Sequence, residues 1–413
     1  MEYRIDTPKN VNFIIKLLEQ EGHEAFAVGG CVRDALMGRE PYDWDITTSA
    51  APTDIKGIFH RTIDTGLQHG TVTVMLDHVG YEVTTYRIDG SYSDGRHPDK
   101  VQFTKNLVED LKRRDFTINA MAYNPKIGIV DEFDGIGDLN RKVIKCVGNP
   151  KERFTEDALR MLRAVRFAAK LGFDIEEKTA DAIKDMAGNI SKVSKERIQT
   201  ELDKLITSDN PQVLMEVHNL LLDKYILEDS VLLDEGAEAK YKNIIEVMKN
   251  TKPDHFIRWA AFMMYEGAGA RHVLKKLKFD NKTMNICGKL IENIDYFADC
   301  KYVEKDLEHK KYLIRKLLVD MGSEVFEEYY LPFITAVARV EALQEIKLLF
   351  DEIINDGDCI IKNQMALKGA DLMALGVEPG KVMGDVIDRL FEEILKNPKL
   401  NNKEDLTKLT YLT

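Results

Sequence analysis

Two carboxylates stand two residues apart in "YDWDITT", residues 42–48, and a glycine pair followed by an arginine precedes them in "VGGCVRD", residues 28–34. Side chains alternate faces along a strand, so an extended "DWDIT" projects Asp43 and Asp45 side by side, with Trp44 and Ile46 behind them. Carboxylates that close raise one another's proton affinity unless a cation sits between them. Carboxylate and phosphate oxygens suit Mg2+, which seldom receives an all-protein cage. Gly29 and Gly30 let backbone N–H groups approach a phosphate, and Arg33 adds charged donors. The set predicts metal-assisted phosphoryl transfer, with Asp43 and Asp45 as metal ligands. A D-x-D pair alone is more often a solvated strand end; the G-G-x-x-R-D directly upstream reverses that preference. Glu82 in "YEVTTYR" is the candidate third carboxylate of a two-ion site, against the alternative of a surface glutamate on an edge strand.

Such residues need a sheet to present them, and residues 1 to about 145 supply the signals for one. "AFAV" (25–28), "TVTVMLD" (71–77), "YEVTTYR" (81–87) and "KVIKCVG" (142–148) read as strands, and "DHVG" between the second and third reads as a hairpin turn. Thr7 and Pro8 are read as N-cap and first-turn proline of a helix running to about Gly22. From about Thr155 the pattern is almost entirely helical. "EDALRMLRAVRFAAKLGF" sets Leu162, Val165 and Ala169 on one helical face, with Gly172 as the stop.

Four stretches, "AVGGCVRD", "DWDITTSA", "RRDFTINAMAYN" and "EDALRMLRAVRFAAKLGF", occur in the order found in class II tRNA nucleotidyltransferases, the CCA-adding enzymes related to bacterial poly(A) polymerases. The chain resembles that family strongly over about residues 20–205. The resemblance implies an α/β nucleotidyltransferase head, a mixed sheet with helices, followed by all-α neck, body and tail domains in an elongated molecule. The expected divisions are a catalytic head at 1–145, a neck for base recognition at 146–208, a body at 209–320 and a tRNA-binding tail at 321–413. It further implies template-independent addition of C, C and A to the 3′ end of tRNA from CTP and ATP, with release of pyrophosphate. Poly(A) polymerase, or a CC-only or A-only relative, is the alternative. A small-molecule nucleotidyltransferase and a catalytically silent tRNA-binding protein are more distant ones.

The "EDALR" segment explains how a protein without a nucleic-acid template selects C and A. Asp157 and Arg160 stand three apart, neighbours on one side of a helix. Cytosine and adenine each present an amino donor beside an unprotonated ring nitrogen, so a carboxylate accepts from one and a guanidinium donates to the other. Uracil and guanine reverse that edge and leave buried charges unsatisfied, at about 1–3 kcal/mol per group. An i,i+3 salt bridge on a solvated face is the plainer alternative. Arg163 and Arg166 continue the spacing and are expected to reach the triphosphate, and the resemblance marks Arg114 as a further nucleotide contact. Lys112, Arg113 and Arg153 are candidate nucleotide or tRNA contacts. So are Lys368, Lys381 and the basic stretch 271–278 for tRNA, each equally readable as solvated surface. His69 in "LQHGTV" is read as turn packing in preference to an active-site contact. The polar, glycine-bearing segment 87–103 matches a flexible loop that the family associates with switching from C to A addition.

Composition agrees with this picture. The chain has 413 residues, enough for two to four domains, with 44% hydrophobic and 31% charged residues and a net charge of −12. That charge argues against indiscriminate coating of nucleic acid. Yet residues 141–170 hold nine Lys/Arg against three Asp/Glu, one basic band on an acidic body. Five scattered cysteines with no C-x-x-C favour a reducing cytoplasm over a disulfide framework or zinc site. No apolar run approaches a membrane span, no histidine is followed by Asp as a His-Asp phosphohydrolase would require, and no protein partner is implied.

Overall fold

Strand β1, Ala25–Val28, is buried along its whole length because the sheet that contains it is covered on both sides. Ala25 and Ala27 pack into one core with Val11, Ile14, Ile15 and Leu18 of helix α1 (Lys9–Gln20), while Phe26 and Val28 face a second core with Tyr86, Leu107 and Leu111. The computed structural model describes residues 3–90, 101–337 and 342–411, and it divides into two compact units, Met1–Tyr241 and Lys242–Thr413.

The first unit holds a seven-stranded mixed sheet. Its members are β1, β2 (Ile46–Thr48), β3 (Thr62–Gly66), β4 (Thr71–Leu76), β5 (Val79–Thr85) and, after a two-stranded ribbon of β6 (Arg87–Asp89) and β7 (Val101–Phe103), β8 (Ala122–Asn124) and β9 (Gly128–Val130). The order is β3-β4-β5-β2-β1-β8-β9. Only β2 and β5 run parallel; the other neighbours are antiparallel. The β4–β5 hairpin closes through Asp77 and His78, both at positive φ (48° and 64°), the backbone that two-residue hairpin turns demand. Helices α2 (Gly30–Leu36) and α3 (Pro52–Ile58) follow β1 and β2, and α4 (Leu107–Lys112) and α5 (Gly135–Arg141) flank β8 and β9.

Beyond the sheet come α6 (Pro150–Glu156), α7 (Leu159–Leu171), α8 (Glu177–Met186) and α9 (Lys195–Ile206). Gly172 ends α7 in the left-handed conformation at φ 71°, as its position predicts. The second unit is helical, with one of its cores built from residues such as Leu372, Leu390, Phe391 and Leu406. All five cysteines are free thiols. No helix of the described residues is long and apolar enough to cross a membrane.

Three local expectations change, and a fourth falls largely outside the described residues. Helix α1 starts at Lys9 with Pro8 as N-cap, and Thr7 donates its hydroxyl to Asn12 Oδ1 at 2.6 Å in place of capping a backbone N–H. "KVIKCVG" is a strand only at β10, Val143–Ile144, which pairs in parallel with β11, Asp174–Ile175, inside the region read as helical. Asp43 and Asp45 precede β2 in irregular backbone. Of the flexible loop expected at 87–103, only the ends fall in the described residues, as β6 paired with β7; residues 91–100 lie outside them.

Candidate functional site

The glycine turn is tied to the D-x-D segment by backbone. Val28 N donates to Asp45 O at 2.9 Å, and Gly29 N donates to Met121 O at 3.1 Å. Gly29 itself, at φ 83° and ψ −129°, caps α2; a Cβ there would stand 2.9 Å from Arg114 Nη1. Positive φ and this close approach together require glycine. The turn thus brings Gly29, Gly30 and Arg114 beside Asp45.

Parallel pairing of Ile46 with Val83 sets Asp45, one residue earlier, alongside Glu82. Asp43, Asp45 and Glu82 are solvent-exposed, while Trp44 packs half-buried against the core. Partial desolvation raises the Asp45 pKa, Arg114 lowers it, and Glu82 and Asp43 raise it again. Burial and the Asp45 charge push the Cys31 thiol up to about 11. Among the described residues no group of three or more His, Cys, Asp or Glu is close enough to hold a metal ion, so the three carboxylates do not form a ready cage. Two open carboxylates carrying excess negative charge nevertheless fit a hydrated divalent cation that takes its other ligands from water and phosphate.

A second feature is a cavity of about 330 Å³ lined by Arg113, Arg114, Asp115, Asp157, Leu159, Arg160, Arg163 and Arg197. Five guanidinium groups against two carboxylates make it a seat for an anionic ligand with polar edges. Asp157 is not on a helix. It is the C-cap of α6 at φ −145° and ψ 104°, at the break before α7, and its Oδ1 accepts from Leu159 N at 3.1 Å. Its ion-pair partner is Arg197 of α9, at 2.8 Å. Arg160, in the first turn of α7, binds Glu156 at 2.6 Å and donates to Arg113 O at 3.0 Å. Asp157 and Arg160 therefore share a cavity wall, and Arg160 N donates to Asp157 O at 3.0 Å, yet neither side chain is the other's ion-pair partner and Asp157 lies outside the helix.

The remaining candidates divide. Arg163 lines the cavity and grips Asp115 through Nε and Nη2 at 3.0 and 2.6 Å. Although burial opposes it, the Arg163 guanidinium holds the Asp115 carboxyl far below the usual carboxylate range. Arg114 Nε is buried with no hydrogen-bond partner among the described residues. Arg166 lies outside the cavity lining, buried against Glu201. Arg33 is buried too, bonded to Asn119 and Asp34. Arg153 donates to Lys112 O, Arg271 of the 271–278 stretch pairs with Glu292, Lys368 donates to Asn363 O, and His69 O accepts from Arg87. Lys112 and Lys381 are exposed. Arg197, Asn119 and Glu201 escaped sequence reasoning: Arg197 lies forty positions from Asp157, and no spacing rule links residues so far apart.

Residues 25–145 match the family described as "Poly A polymerase head domain", 172–228 "Probable RNA and SrmB- binding site of polymerase A", and 253–409 "tRNA nucleotidyltransferase domain 2 putative". The chain is 36% identical over 401 residues to the CCA-adding enzyme of Ligilactobacillus salivarius, covering 95% of this chain and 93% of the relative. It is 34% identical over 412 residues to that of Leuconostoc mesenteroides, covering 96% and 94%. Its fold is similar to the Bacillus stearothermophilus CCA-adding enzyme in complex with CTP, with a TM-score of 0.75 and 30% identity over 97% of this chain and 95% of the other. The Thermotoga maritima CCA-adding enzyme complexed with tRNA shares the fold at a TM-score of 0.67 and 21% identity, covering 99% of this chain and 98% of that one.

Proposed function

The chain belongs to the family of CCA-adding enzymes, and from that premise we propose that it adds C, C and A in turn to the 3′ end of tRNA. CTP and ATP are the substrates. The tRNA 3′-hydroxyl oxygen gives up its proton to solvent and forms a bond to the α-phosphorus, the bond from that phosphorus to the β-phosphate bridging oxygen breaks, and pyrophosphate leaves.

The observation that carries this reading is the meeting of Asp157 and Arg160 in one cavity with Arg114, whose guanidinium also abuts the Gly29 turn. A nucleotide bridging these points has its base edge at Asp157 and Arg160 and its phosphates toward Gly29, Gly30 and Arg114. Asp157 accepts from the exocyclic amino group of C or A, and Arg160 donates to the adjacent ring nitrogen. Arg163, on the same wall, faces the ribose and phosphates. Bound by Asp43 and Asp45, with Glu82 as third carboxylate of a two-ion arrangement, Mg2+ would supply charge neutralisation and activation of the attacking hydroxyl. Phosphoryl transfer needs little covalent help, so the protein contributes mainly positioning and charge.

We assign 1–145 as catalytic head, 146–208 as base-recognising neck, 209–320 as body and 321–413 as tRNA-binding tail, in a protein of the reducing cytoplasm. The test is extension of tRNA lacking its last three nucleotides with CTP, with ATP and with both, read on a sequencing gel. Two additions with CTP alone, and a terminal A only when ATP joins it, are expected. Runs of A on any RNA would point to a poly(A) polymerase, and truncated products to a CC-only or A-only relative.

A further inference from the structure

A run of polar contacts links α2 to α7 and α9 around one aromatic ring. Arg33 Nη1 donates to Asn119 Oδ1 at 2.5 Å, and Asn119 Nδ2 donates to Asp115 Oδ1 at 3.1 Å. The other Asp115 oxygen takes Arg163. Arg163 Nη1 lies 3.5 Å from Glu201 Oε1, and Glu201 Oε2 accepts from Arg166 Nε at 2.5 Å. The ring is Phe167, 6% exposed, with the guanidinium carbons of Arg33, Arg163 and Arg166 at 5.3, 5.4 and 3.8 Å from its centre. Phe116 meets it edge-on at 5.7 Å.

Burial alone does not require an aromatic side chain there; leucine would fill a core position of similar volume. Three guanidinium groups around one point do require something more, because they repel one another. Asp34, Asp115 and Glu201 each offset part of that repulsion, and the negative face of an aromatic ring attracts cations as no aliphatic side chain does. We infer that Phe167 is a positioning residue for nucleotide binding. It holds Arg33, behind the Gly29–Gly30 turn, in register with Arg163 and Asp115 at the cavity. The phosphate-binding and base-binding ends are thereby kept at a set distance. This rests on the nucleotide-binding reading above and adds to it a residue that touches neither base nor phosphate. Because the ring does not touch the base-reading pair, its loss acts on CTP and ATP alike.

Wild type, Phe167→Leu, Phe167→Tyr and Asn119→Ala are compared for addition to truncated tRNA, with CTP and ATP titrated separately. Phe167→Leu is expected to raise KM for both nucleotides about tenfold, the scale of one desolvated cation–π contact, with kcat nearly unchanged and U still rejected. Phe167→Tyr, which keeps the ring, restores KM. Asn119→Ala cuts the chain between Arg33 and Asp115 without touching the ring and raises KM in the same direction. A folded Phe167→Leu with wild-type KM values would overturn the inference, as would failure of tyrosine to rescue. Should Phe167→Leu not fold, a wild-type KM in Asn119→Ala overturns it. Calorimetric binding of CTP gives the same comparison as Kd. If wild type binds CTP and adds nothing, the proposed activity falls while the Phe167 comparison is still read from Kd.

Discussion

Arg197 holds Asp157 by two contacts, 3.3 Å from Nη1 to Oδ1 and 2.8 Å from Nη2 to Oδ2. Asp157 sits between two helices with extended backbone, and its carboxylate is oriented by Leu159 N at the start of α7 and by Arg197 from α9. Arg197→Met keeps most of the apolar stem and removes the charge. It is expected to lower discrimination of CTP over UTP by about tenfold or more, the scale of an unsatisfied buried polar group. The ratio of C to U incorporation in single-nucleotide extension measures it; an unchanged ratio would separate Asp157 from base choice.

Gly29→Ala meets two penalties. A left-handed backbone with a Cβ costs about 1–2 kcal/mol, and that Cβ would press on Arg114 Nη1. Reduced thermal stability and a raised KM for both nucleotides are expected together, read by melting and by steady-state kinetics. A Gly22→Ala control, also at positive φ but with open space around it, is expected to lose stability alone.

Asp45→Asn is expected to uncouple stability from activity. The folded-state pKa of Asp45 is raised, so the folded protein holds its proton more tightly than the unfolded chain and stability falls as pH rises through that window. At neutral pH the amide removes a carboxylate that Glu82 and Asp43 oppose. Asp45→Asn therefore melts higher than wild type at pH 7, an advantage that disappears in acid. Activity falls roughly 10²–10³-fold, the scale of losing one preorganised charge contact.

Asp115 behaves in the opposite sense. Its folded-state pKa is depressed, so its contribution is complete above the ordinary Asp value and is lost as pH falls toward the depressed one. Asp115→Asn leaves Arg163 only its longer, 3.5 Å contact with Glu201 and is expected to cost about 3 kcal/mol at neutral pH. Denaturant melts of both proteins at neutral and acid pH check it: the difference narrows in acid.

Much of this was legible in order and type. Alternating Val72, Val74 and Val83 announced two strands, and the turn at Asp77–His78 joined them as expected, because hairpin geometry is local. The spacing of "EDALR" reads as one continuous helix because Asp157 is compatible with a helix interior; the break before α7 goes with the packing of α7 on α9 and with Arg197 reaching across to Asp157. Sequence position makes Arg166 and Arg33 candidate ligand contacts; their burial against Glu201 and Asn119 depends on partners distant in the chain.

By itself, the sequence determined the candidate chemistry: a glycine turn, paired carboxylates and an Asp and Arg proposed to read the base, each a short-range pattern whose meaning follows from residue type and separation. Only the tertiary structure decided which cations stay open to a ligand. Arg33, Arg163 and Arg166 are equal as letters, but contacts from α4–β8, α9 and the Phe167 ring bury the first and last and leave Arg163 on the cavity wall. Electrostatic partners are chosen by proximity in space, and proximity between residues 33, 119, 163 and 201 exists only once the chain has folded.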